Sequence, residues 1–532
     1  MRRRPTSIAG RAIATALLLA ACGGERNTRA AVTDATLAIR NVTVVDVETG
    51  VLLADRTVLV DVRRDRIIAL DSGSGSPLHR RPTAALAIRN VTVVDVERGS
   101  LLRERTVLVR GQRIVSVDSG AAHAIPAGAT VVDGAGRSLI PGLWDMHVHT
   151  AHPSYFPLLA ANGVTGIRDI GGAAEPPTDG CESIRPDSLL AWRARVEAGA
   201  WIGPRIVLSG PAASGTGWPT SLPVRTNDEA RSAVSALRAL GVDFVKVYEG
   251  IPLDAYLVLA KAARSAALPI AGHVPVETVG LLDAIVAGQR SIEHVRDALL
   301  LCFTDDPEKL ARFFAEDRWG EEDIAWGLPV HEQCPQVIEA LRTHPVWLTP
   351  TLVVERAKVA AEEGAFVDDP RRAYLPASVQ EAFAAFVRDK LSQPAAKRAS
   401  EHLWWRTQQR LVGRMADAGV AILAGTDAAC EGGLPGFSLH DELALLVQAG
   451  LSPLQALQAA TLNSARYVGA TDAMGTVAPG KLADLVLLDA DPLVDIRNTR
   501  RIHAVVLNGR LLDRAALDAL LEDARRTVEV MR

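Results

Sequence analysis

Short apolar runs alternate with longer amphipathic stretches through the middle of the chain. Most of the amphipathic stretches repeat apolar residues every three or four positions, which is typical of helices packed on one face. The alternation predicts eight strands, at residues 143–149, 165–170, 205–210, 244–248, 269–274, 291–295, 347–353 and 421–427. Eight βα units over roughly 300 residues favour an α/β fold with a (β/α)8 TIM barrel, here over residues 141–470.

The two flanks of this region have a different pattern. Residues 86–140 and 471–532 contain runs in which apolar and polar residues alternate, with two further strands expected at 482–489 and 502–512. The apolar faces of such strands need one another for burial. The pattern therefore predicts a small β-sandwich domain formed from both termini, with the barrel inserted between its halves.

A β-rich segment occurs twice before the predicted barrel. Residues 37–60 read LAIRNVTVVDVETGVLLADRTVLV, and residues 86–109 read LAIRNVTVVDVERGSLLRERTVLV. Two copies are too few for a solenoid. Only the second copy runs directly into the barrel, so we assign it to the structural sheet. Residues 37–85, the first copy and its linker, are interpreted as an appended extra.

The first 36 residues are predicted to serve export. Arg2, Arg3 and Arg4 precede an apolar stretch that is too short to span a bilayer, and Cys22 follows small residues. This resembles the lipobox of bacterial lipoproteins, which implies a signal peptide at 1–21, a lipidated Cys22 and a linker at 22–36. The resemblance implies a protein lipid-anchored to the bacterial envelope, at the outer membrane, which it would touch only through that anchor. An ordinary secretory signal is the alternative.

Composition narrows the function classes only slightly. The chain has 532 residues, 48% of them hydrophobic, and a net charge of -4. This composition is globular, and it provides no basic face for nucleic acid. The cysteines form no C-x-x-C pair, which argues against a thiolate metal site. Cys302 and Cys334 lie in one inserted segment, and a disulfide between them is a hypothesis that the sequence leaves open.

Six residues that suit metal binding lie at or near the ends of predicted strands. They are His147, His149, Lys246, His273, His294 and Asp427. Side chains two apart on a strand share a face, so both histidines of the H-x-H pair are expected in the barrel, near its catalytic mouth. Neutral imidazoles suit zinc and similar cations, and a carboxylate can both bind a metal and accept a proton. By the same alternation, Glu293 is expected to point away from the site.

Lys246 is open to two interpretations. One is a lysine paired with a carboxylate inside the barrel, which is the simpler alternative for the residue taken alone. Burial would instead favour its neutral amine, which can react with carbon dioxide to form an anionic carbamate. Its central position, with histidines on the neighbouring predicted strands, favours the carbamate.

The motifs that contain these residues resemble the amidohydrolase superfamily. The similar segments are IPGLWDMHVH at 140–149, FVKVY at 244–248, IEH at 292–294, AGTD at 424–427 and PGKLADLV at 479–486. The resemblance covers roughly residues 86–512. It is greatest to imidazolonepropionase-related peptidases, including Xaa-Pro dipeptidases and ochratoxin-type amidases, on the basis of NGVT at 162–165, Arg168-Asp169 and HDEL at 440–443.

The resemblance implies a centre with two divalent metal ions. One ion would be bound by His147, His149 and Asp427 and the other by His273 and His294, with a carbamate on Lys246 bridging them. Zinc is the default metal, and manganese, cobalt or iron suit the same ligands.

The implied activity is metal-dependent hydrolysis of an amide bond, by an amidase or dipeptidase acting on small peptides or N-acyl amino acids. A hydroxide held between the metals would attack the carbonyl, with Asp427 as the proton shuttle. Tyr248 is expected to stabilise the oxyanion or to pack at the rim, and His440 to approach the substrate or to pack within the fold. A lactonase, deaminase or phosphotriesterase and a non-catalytic binding lipoprotein are the alternatives. A homo-oligomer is compatible with the sequence.

Overall fold

A computed structural model describes nine segments of the chain: residues 36–45, 52–61, 66–71, 85–119, 125–172, 184–217, 220–303, 334–363 and 369–530. The chain divides into two compact units, residues 1–80 and 81–532. The predicted signal peptide, Cys22 and the linker up to residue 35 lie outside the described residues, so the lipid anchor stays a prediction. Within the described residues, no helix has both the length and the apolar character needed to cross a membrane.

The first unit contains the first copy of the repeat. Its strands β1 (Thr36–Val45), β2 (Leu52–Asp61) and β3 (Arg66–Asp71) form an antiparallel sheet in that order. Leu37 pairs with Val60, and the ladder shifts register between Ile39 and Val42. The nearly identical sequence of the second copy pairs in the same way in the second unit.

The second copy forms the hairpin of β4 (Leu86–Asp95) and β5 (Ser100–Arg110), where Leu86 pairs with Val109 and the register shifts between Ile88 and Val91. This hairpin is part of an eight-stranded sheet of order β21-β20-β19-β8-β4-β5-β6, with β7 paired to β4. The added strands are β6 (Arg113–Ser119), β7 (Thr130–Asp133), β8 (Ser138–Pro141), β19 (Leu485–Leu488), β20 (Ile502–Leu507) and β21 (Arg510–Leu512).

Both ends of the second unit therefore share one sheet. Strand β8 pairs antiparallel with β19, with Ile140 opposite Val486, so a strand from before the α/β region is hydrogen-bonded to one from after it. A buried core that includes Ile88, Val107 and Leu485 draws apolar side chains from both ends of the unit. The described strands form a single sheet here. A sandwich of two sheets, and its boundaries at residues 140 and 471, stay predictions.

Parallel strands and helices alternate between the two halves of that sheet. The strands are β9 (Leu143–Val148), β10 (Val164–Asp169), β11 (Arg205–Leu208), β12 (Ala213–Ser214), β13 (Leu222–Pro223), β14 (Val245–Val247), β15 (Ile270–Gly272), β16 (Gln289–Glu293), β17 (Trp347–Thr349) and β18 (Ala421–Ile422). Each of the eight predicted strands overlaps one of them, although most are shorter than predicted. The predicted strand 347–353 is too long, because a helix begins at Leu352.

Fourteen helices are described. They are α1 (Tyr155–Ala161), α2 (Pro186–Glu197), α3 (Asn227–Leu240), α4 (Leu253–Ser265), α5 (Leu281–Ala287), α6 (Val295–Phe303), α7 (Cys334–Thr343), α8 (Leu352–Ala360), α9 (Ala377–Ser392), α10 (Ala395–Asp417), α11 (Phe437–Ala449), α12 (Pro453–Ala459), α13 (Leu462–Tyr467) and α14 (Arg514–Val530). Local sequence explains α3 well. Thr226 and Glu229 form a capping box at its start, and Gly241 ends it in the left-handed conformation.

The parallel strands form two sheets in the described residues. Their orders are β11-β10-β9 and β13-β12-β14-β15-β16-β17-β18. Isolated bridges join Ser209 to Phe244 and Val148 to Ala428, at the two places where the sheets adjoin. The predicted barrel is therefore corrected to a mixed α/β structure in which the eight strands do not form one continuous ladder. The physical reason is the shortness of β18, which ends at Ile422, so that β9 is hydrogen-bonded to the irregular segment after β18, with Met146 N–H donating to Ala424 O at 2.9 Å and His149 N–H to Ala428 O at 2.6 Å.

The inserted segment after β16 is closed by a disulfide. Cys302 of α6 and Cys334 of α7 are bonded to each other, and both are buried. This confirms the pairing that the sequence left as a hypothesis. The bond holds together the two helices that flank residues 304–333, which lie outside the described residues.

A buried carboxylate joins α11 to the start of α8. Glu442 is fully buried, and its Oε2 accepts a hydrogen bond of 2.8 Å from the backbone N–H of Val353. Burial raises the pKa of Glu442 to about 8, and its backbone hydrogen bonds only partly oppose this shift. The folded protein therefore holds a proton at Glu442 that the unfolded chain, with a pKa near 4.5, releases at neutral pH.

We predict that Glu442 makes the protein less stable as pH rises from about 5 to 8. Over this range the folded state binds the extra proton, so the free energy of unfolding falls by about 1.4 kcal/mol per pH unit through this group. Glu442→Gln keeps the acceptor and should remove that part of the slope. Urea unfolding at several pH values measures it, with the exposed Glu339→Gln as the control. Equal slopes in wild type and Glu442→Gln would contradict the prediction.

Candidate metal centre

The six expected ligand residues lie at one end of the parallel strands. His147 and Lys246 are within β9 and β14, His149 and His273 immediately follow β9 and β15, and His294 follows β16. Because parallel strands end at a common rim, these side chains converge. The ring centroids of His147 and His294 are 4.9 Å apart, and those of His273 and His294 are 4.8 Å apart. The structure therefore brings the residues together.

These residues surround a cavity of about 290 Å³. That volume suits a small molecule. Five of the six expected ligands line it, and His147 is fully buried behind them. The other charged or phenolic side chains that line the cavity are Tyr248, Arg296, Glu355, Lys358 and Glu431.

The carboxylate of Asp427 is at the centre of the cluster. Its Oδ1 lies 3.2 Å from His147 Nε2 and 3.1 Å from His149 Nε2, and its Oδ2 lies 4.0 Å from His294 Nε2. Potential ligand atoms of His147, His149 and Asp427 are all within 4.8 Å of one another. Two imidazoles and one carboxylate at this spacing form a donor set that suits a divalent cation.

Three buried atoms in this cluster lack hydrogen-bond partners. They are His147 Nε2, His149 Nδ1 and Asp427 Oδ1. Buried polar atoms are nearly always paired, because an unpaired one loses its hydration without compensation. A cation bound within the cluster would satisfy His147 Nε2 and Asp427 Oδ1, whereas His149 faces Asp427 with its other nitrogen, Nε2, at 3.1 Å. The residues present therefore fit a metal ion, and the donor set does not select zinc over similar metals.

Burial shifts the pKa of several basic groups in the cluster toward the neutral form, which is the form that binds metal. It lowers the pKa of His149 and of Lys246 and holds the pKa of His294 well below its usual value. Burial also acts to raise the pKa of Asp427, but His147 and the other histidines outweigh it, so the pKa is well below the usual range. Burial thus shifts His149, Lys246 and His294 toward their neutral forms, while the neighbouring histidines shift Asp427 toward its ionised form.

His147 is the exception among the histidines. Burial alone would lower its pKa, but the carboxylates of Asp427 and Glu293 raise it above the ordinary value. A proton on Nε2 and a metal ion at the same nitrogen would compete for one lone pair. The two acids that favour the proton would also favour a cation in its place.

Close backbone packing positions Asp427. A Cβ on Gly425 would lie 2.5 Å from Thr349 Cγ2 and 2.8 Å from His147 Cβ, so only glycine allows this approach. The next residue, Thr426, donates to the buried Asp145 through its backbone N–H at 3.0 Å and its hydroxyl at 2.7 Å. Asp427 itself has φ of 57°. Such left-handed non-glycine residues are strained and concentrate at functional sites.

Glu293 points into the site, which corrects the sequence-based expectation. Its Oε2 lies 2.9 Å from His147 Nδ1, and burial opposed by Arg168 and His147 leaves its pKa at about 2. Strand alternation fails here because β16 ends at Glu293 and His294 adopts φ of 66°. The chain reverses at that residue, so consecutive side chains both reach the centre.

Arg168 holds Glu293 in place from below. It is fully buried and donates to both oxygens of Glu293 at 2.7 Å, to Met146 O at 2.5 Å and to Tyr467 Oη at 2.9 Å. The sequence placed Arg168 in a family motif without assigning it a role. An ionised Glu293 accepts the Nδ1 proton of His147, which leaves Nε2 free to bind a metal.

Tyr248 and His440 lie in different surroundings. The ring of Tyr248 lines the cavity, 4.6 Å from the ring of His273, and burial raises its pKa, so it keeps its proton. His440 is buried, with Nδ1 2.9 Å from Thr499 Oγ1 and Nε2 3.0 Å from the carbonyl of Asn162. It is not among the residues that line the cavity. His440 therefore has the packing role, and its predicted approach to the substrate is corrected.

We predict that Glu293→Gln weakens metal binding by about 10- to 100-fold. The amide cannot hold the Nδ1 proton of His147 as a carboxylate does, and losses of this size are typical of such partners. Competition with a coloured chelator measures the affinity, and Glu381→Gln, at an exposed carboxylate, is the control. Circular dichroism shows whether the variant is folded. An unchanged affinity in folded Glu293→Gln would mean that this carboxylate does not orient the ligand.

Comparison with known proteins identifies one family for this chain. A model described as "Amidohydrolase family" matches residues 138–512. Among sequences, adenine deaminase 2 of Rhizobium meliloti (strain 1021) is 49% identical over 74 residues, which is 14% of this chain and 11% of that protein. Imidazolonepropionase of Deinococcus deserti is 41% identical over 87 residues, 16% of this chain and 21% of that protein. The chain thus matches only a minor part of the length of these relatives.

Solved structures are similar over most of the chain. Bottromycin amidohydrolase has a TM-score of 0.64 and 24% identity, covering 85% of this chain and 92% of that one. A Xaa-Pro dipeptidase with bound methionine has a TM-score of 0.58 and 18% identity, covering 81% and 100%. Likeness at these identities shows a common fold.

Proposed function

We propose that this chain, which belongs to the amidohydrolase family, hydrolyses amide bonds in small peptides or N-acyl amino acids. The family membership makes it a metal-dependent hydrolase. The single observation that carries the proposal is the buried cluster of His147, His149 and Asp427 beside a small-molecule cavity, in which one oxygen of Asp427 lies 3.2 Å from His147 Nε2 and 3.1 Å from His149 Nε2.

The proposed centre holds two divalent ions. His147, His149 and Asp427 would bind one, His273 and His294 the other, and zinc is the proposed metal. Bound there, the ions lower the pKa of a water and polarise a carbonyl. The neutral amine of Lys246 would add to carbon dioxide and lose one proton, giving a carbamate that bridges the two positions. The lowered pKa of Lys246 supports this assignment.

The chain's own residues then handle the proton. Asp427 is ionised and lies between the histidines, so it accepts the proton of the attacking water and passes it to the nitrogen of the leaving amine. Tyr248 keeps its proton and lines the cavity, which lets its hydroxyl donate to the oxygen where negative charge develops. Buried Arg168 and Glu293 keep His147 fixed during these steps.

The proposed substrate class is supported by the proteins that this chain resembles. Likeness in fold to a Xaa-Pro dipeptidase and to bottromycin amidohydrolase favours amide substrates. The 74-residue match to adenine deaminase 2 favours a second candidate, release of ammonia from an aminated ring. Adenine belongs beside the amides in any substrate panel.

We also propose that the enzyme acts at the bacterial outer membrane, tethered through Cys22.

A panel of dipeptides, N-acyl amino acids and adenine tests the function on metal-replete mature protein. We predict two metal ions per chain by mass spectrometry, hydrolysis of amides, and loss of both metal and activity on chelation. Readdition of zinc should restore activity. Asp427→Asn should lower kcat by at least about 100-fold, because a positioned acid–base group contributes that much. Amide hydrolysis that persists in strong chelator would contradict the metal mechanism.

Lys246→Ala tests the proposed bridge separately. We predict that it nearly abolishes activity, because both positions lose a shared anionic ligand, and that small carboxylates such as formate or added bicarbonate partly restore it. Tyr256→Phe is a suitable control, since Tyr256 is a buried phenol outside the cavity lining. Turnover at the wild-type rate in Lys246→Ala would show that the lysine does not bridge.

A further inference from the structure

The charged side chains that line the cavity are not equally neutralised. Arg296 donates to Glu249 at 2.8 Å and to Asp297 at 3.1 Å. Lys358 donates to Glu355 at 2.9 Å, and the second oxygen of Glu355 accepts from Gln408 at 2.8 Å. Arg296, Lys358 and Glu355 therefore each have a hydrogen-bonded partner in the protein.

Glu431 is different. Its Oε2 is buried and has no hydrogen-bond partner, although the residue lines the same cavity as Asp427. The charges of Lys358 and Lys390 act to lower the pKa of Glu431. Each lysine nevertheless forms its short ion pair with another carboxylate: Lys358 with Glu355 at 2.9 Å, and Lys390 with Glu401 at 2.7 Å. Among the described residues, Glu431 thus has no ion pair of its own.

The backbone holds Glu431 firmly at the cavity wall. It lies four residues after Asp427, on the turn that follows the metal-binding strand end, and its φ of 39° is left-handed. The preceding residue, Cys430, is disulfide-bonded and also lines the cavity. A strained position with a fixed neighbour is typical of a functional residue. A side chain whose only role is to be solvent-exposed does not need such a strained backbone.

A half-buried carboxylate with one buried, unpaired oxygen favours a cation over a neutral ligand. Leaving such a group unpaired has a desolvation cost that a bound ammonium group offsets through a charge-assisted hydrogen bond. Burial raises the pKa of Glu431, and an ammonium group beside it would act in the opposite direction. An N-acylated amine carries no positive charge and offers no such compensation.

We infer that Glu431 binds an ammonium group of the substrate, so that the cavity selects peptides with a free amine over N-acyl amino acids. This inference rests on the proposed amide hydrolysis for its reaction, whereas the binding step can be measured without turnover. The ammonium belongs either to the peptide's N-terminus or to a lysine side chain, and both present the same chemistry to the carboxylate.

Binding to Asp427→Asn protein tests the inference, because this variant lacks both the proton shuttle and a proposed metal ligand and is therefore expected to bind without cleaving. The probes are L-alanyl-L-leucine, N-acetyl-L-alanyl-L-leucine and N-acetyl-L-alanyl-L-lysine, titrated by calorimetry at neutral pH. We expect at least one ammonium-bearing probe to bind about tenfold or more tightly than N-acetyl-L-alanyl-L-leucine. A preference for the first probe assigns the N-terminus, and a preference for the third assigns the side chain.

Added substitutions connect that preference to Glu431. Glu431→Gln in the same background should bring the affinity ratio close to one, and Glu431→Lys should invert it in favour of the acetylated dipeptide. Glu362→Gln, at a carboxylate paired with Arg398 away from the cavity lining, should keep the ratio. The inference is overturned if no ammonium-bearing probe is preferred, or if the preference survives in Glu431→Gln and Glu431→Lys.

Turnover of the wild-type protein separates this outcome from that of the proposed function. Cleavage of amides without a Glu431-dependent preference would retain the hydrolase and remove the ammonium site. A Glu431-dependent preference in a protein that cleaves no amide would retain the ammonium site and remove the amide-hydrolase assignment. The two claims therefore fail independently.

Discussion

The attraction between the Asp427 carboxylate and the imidazoles of His147 and His149 is the interaction on which the proposed site depends. It gathers two ring nitrogens and a carboxylate oxygen into a buried space, where His147 Nε2 and Asp427 Oδ1 have no hydrogen-bond partner. In water both atoms would be solvated. In the folded protein a divalent cation is the group that compensates both at once.

Much of the surrounding structure serves to hold that arrangement. Gly425 allows the end of β18 to press against β9, and Asp145 fixes the intervening Thr426 by two hydrogen bonds. Arg168 and Glu293 fix the ring of His147 from the opposite side. Buried polar networks of this kind are costly unless every member is satisfied. Their presence next to the ligands indicates that orientation of the metal site is what they contribute.

The sequence predicted where the strands lie and that the six candidate residues come together, because a strand's apolar period and an H-x-H pair are local signals. Glu293 could not be predicted in the same way. Its direction depends on the left-handed backbone at His294, and two-residue alternation has no means of anticipating a reversal. His440 also carries a plausible local motif. Its contacts to Asn162 and Thr499 are distant in sequence and depend on the folded structure.

The pairing of strands within the sheets was the other feature that the sequence could not predict. Eight βα units imply a closed ladder if every strand reaches both neighbours, but β18 has only two residues, and the irregular segment 424–428 beyond it makes the hydrogen bonds to β9. Strand length at such a point is decided by tertiary packing around Asp427. The pairing of β8 with β19, in contrast, followed from apolar faces at both ends of the chain that needed a common partner.

Anomalous X-ray scattering from crystals of zinc-loaded protein, recorded on both sides of the zinc absorption edge, would locate the bound ions. We predict two peaks inside the cavity, one beside His147, His149 and Asp427 and the other beside His273 and His294. Zinc-loaded crystals without a peak beside Asp427, or with zinc only at surface sites, would contradict it.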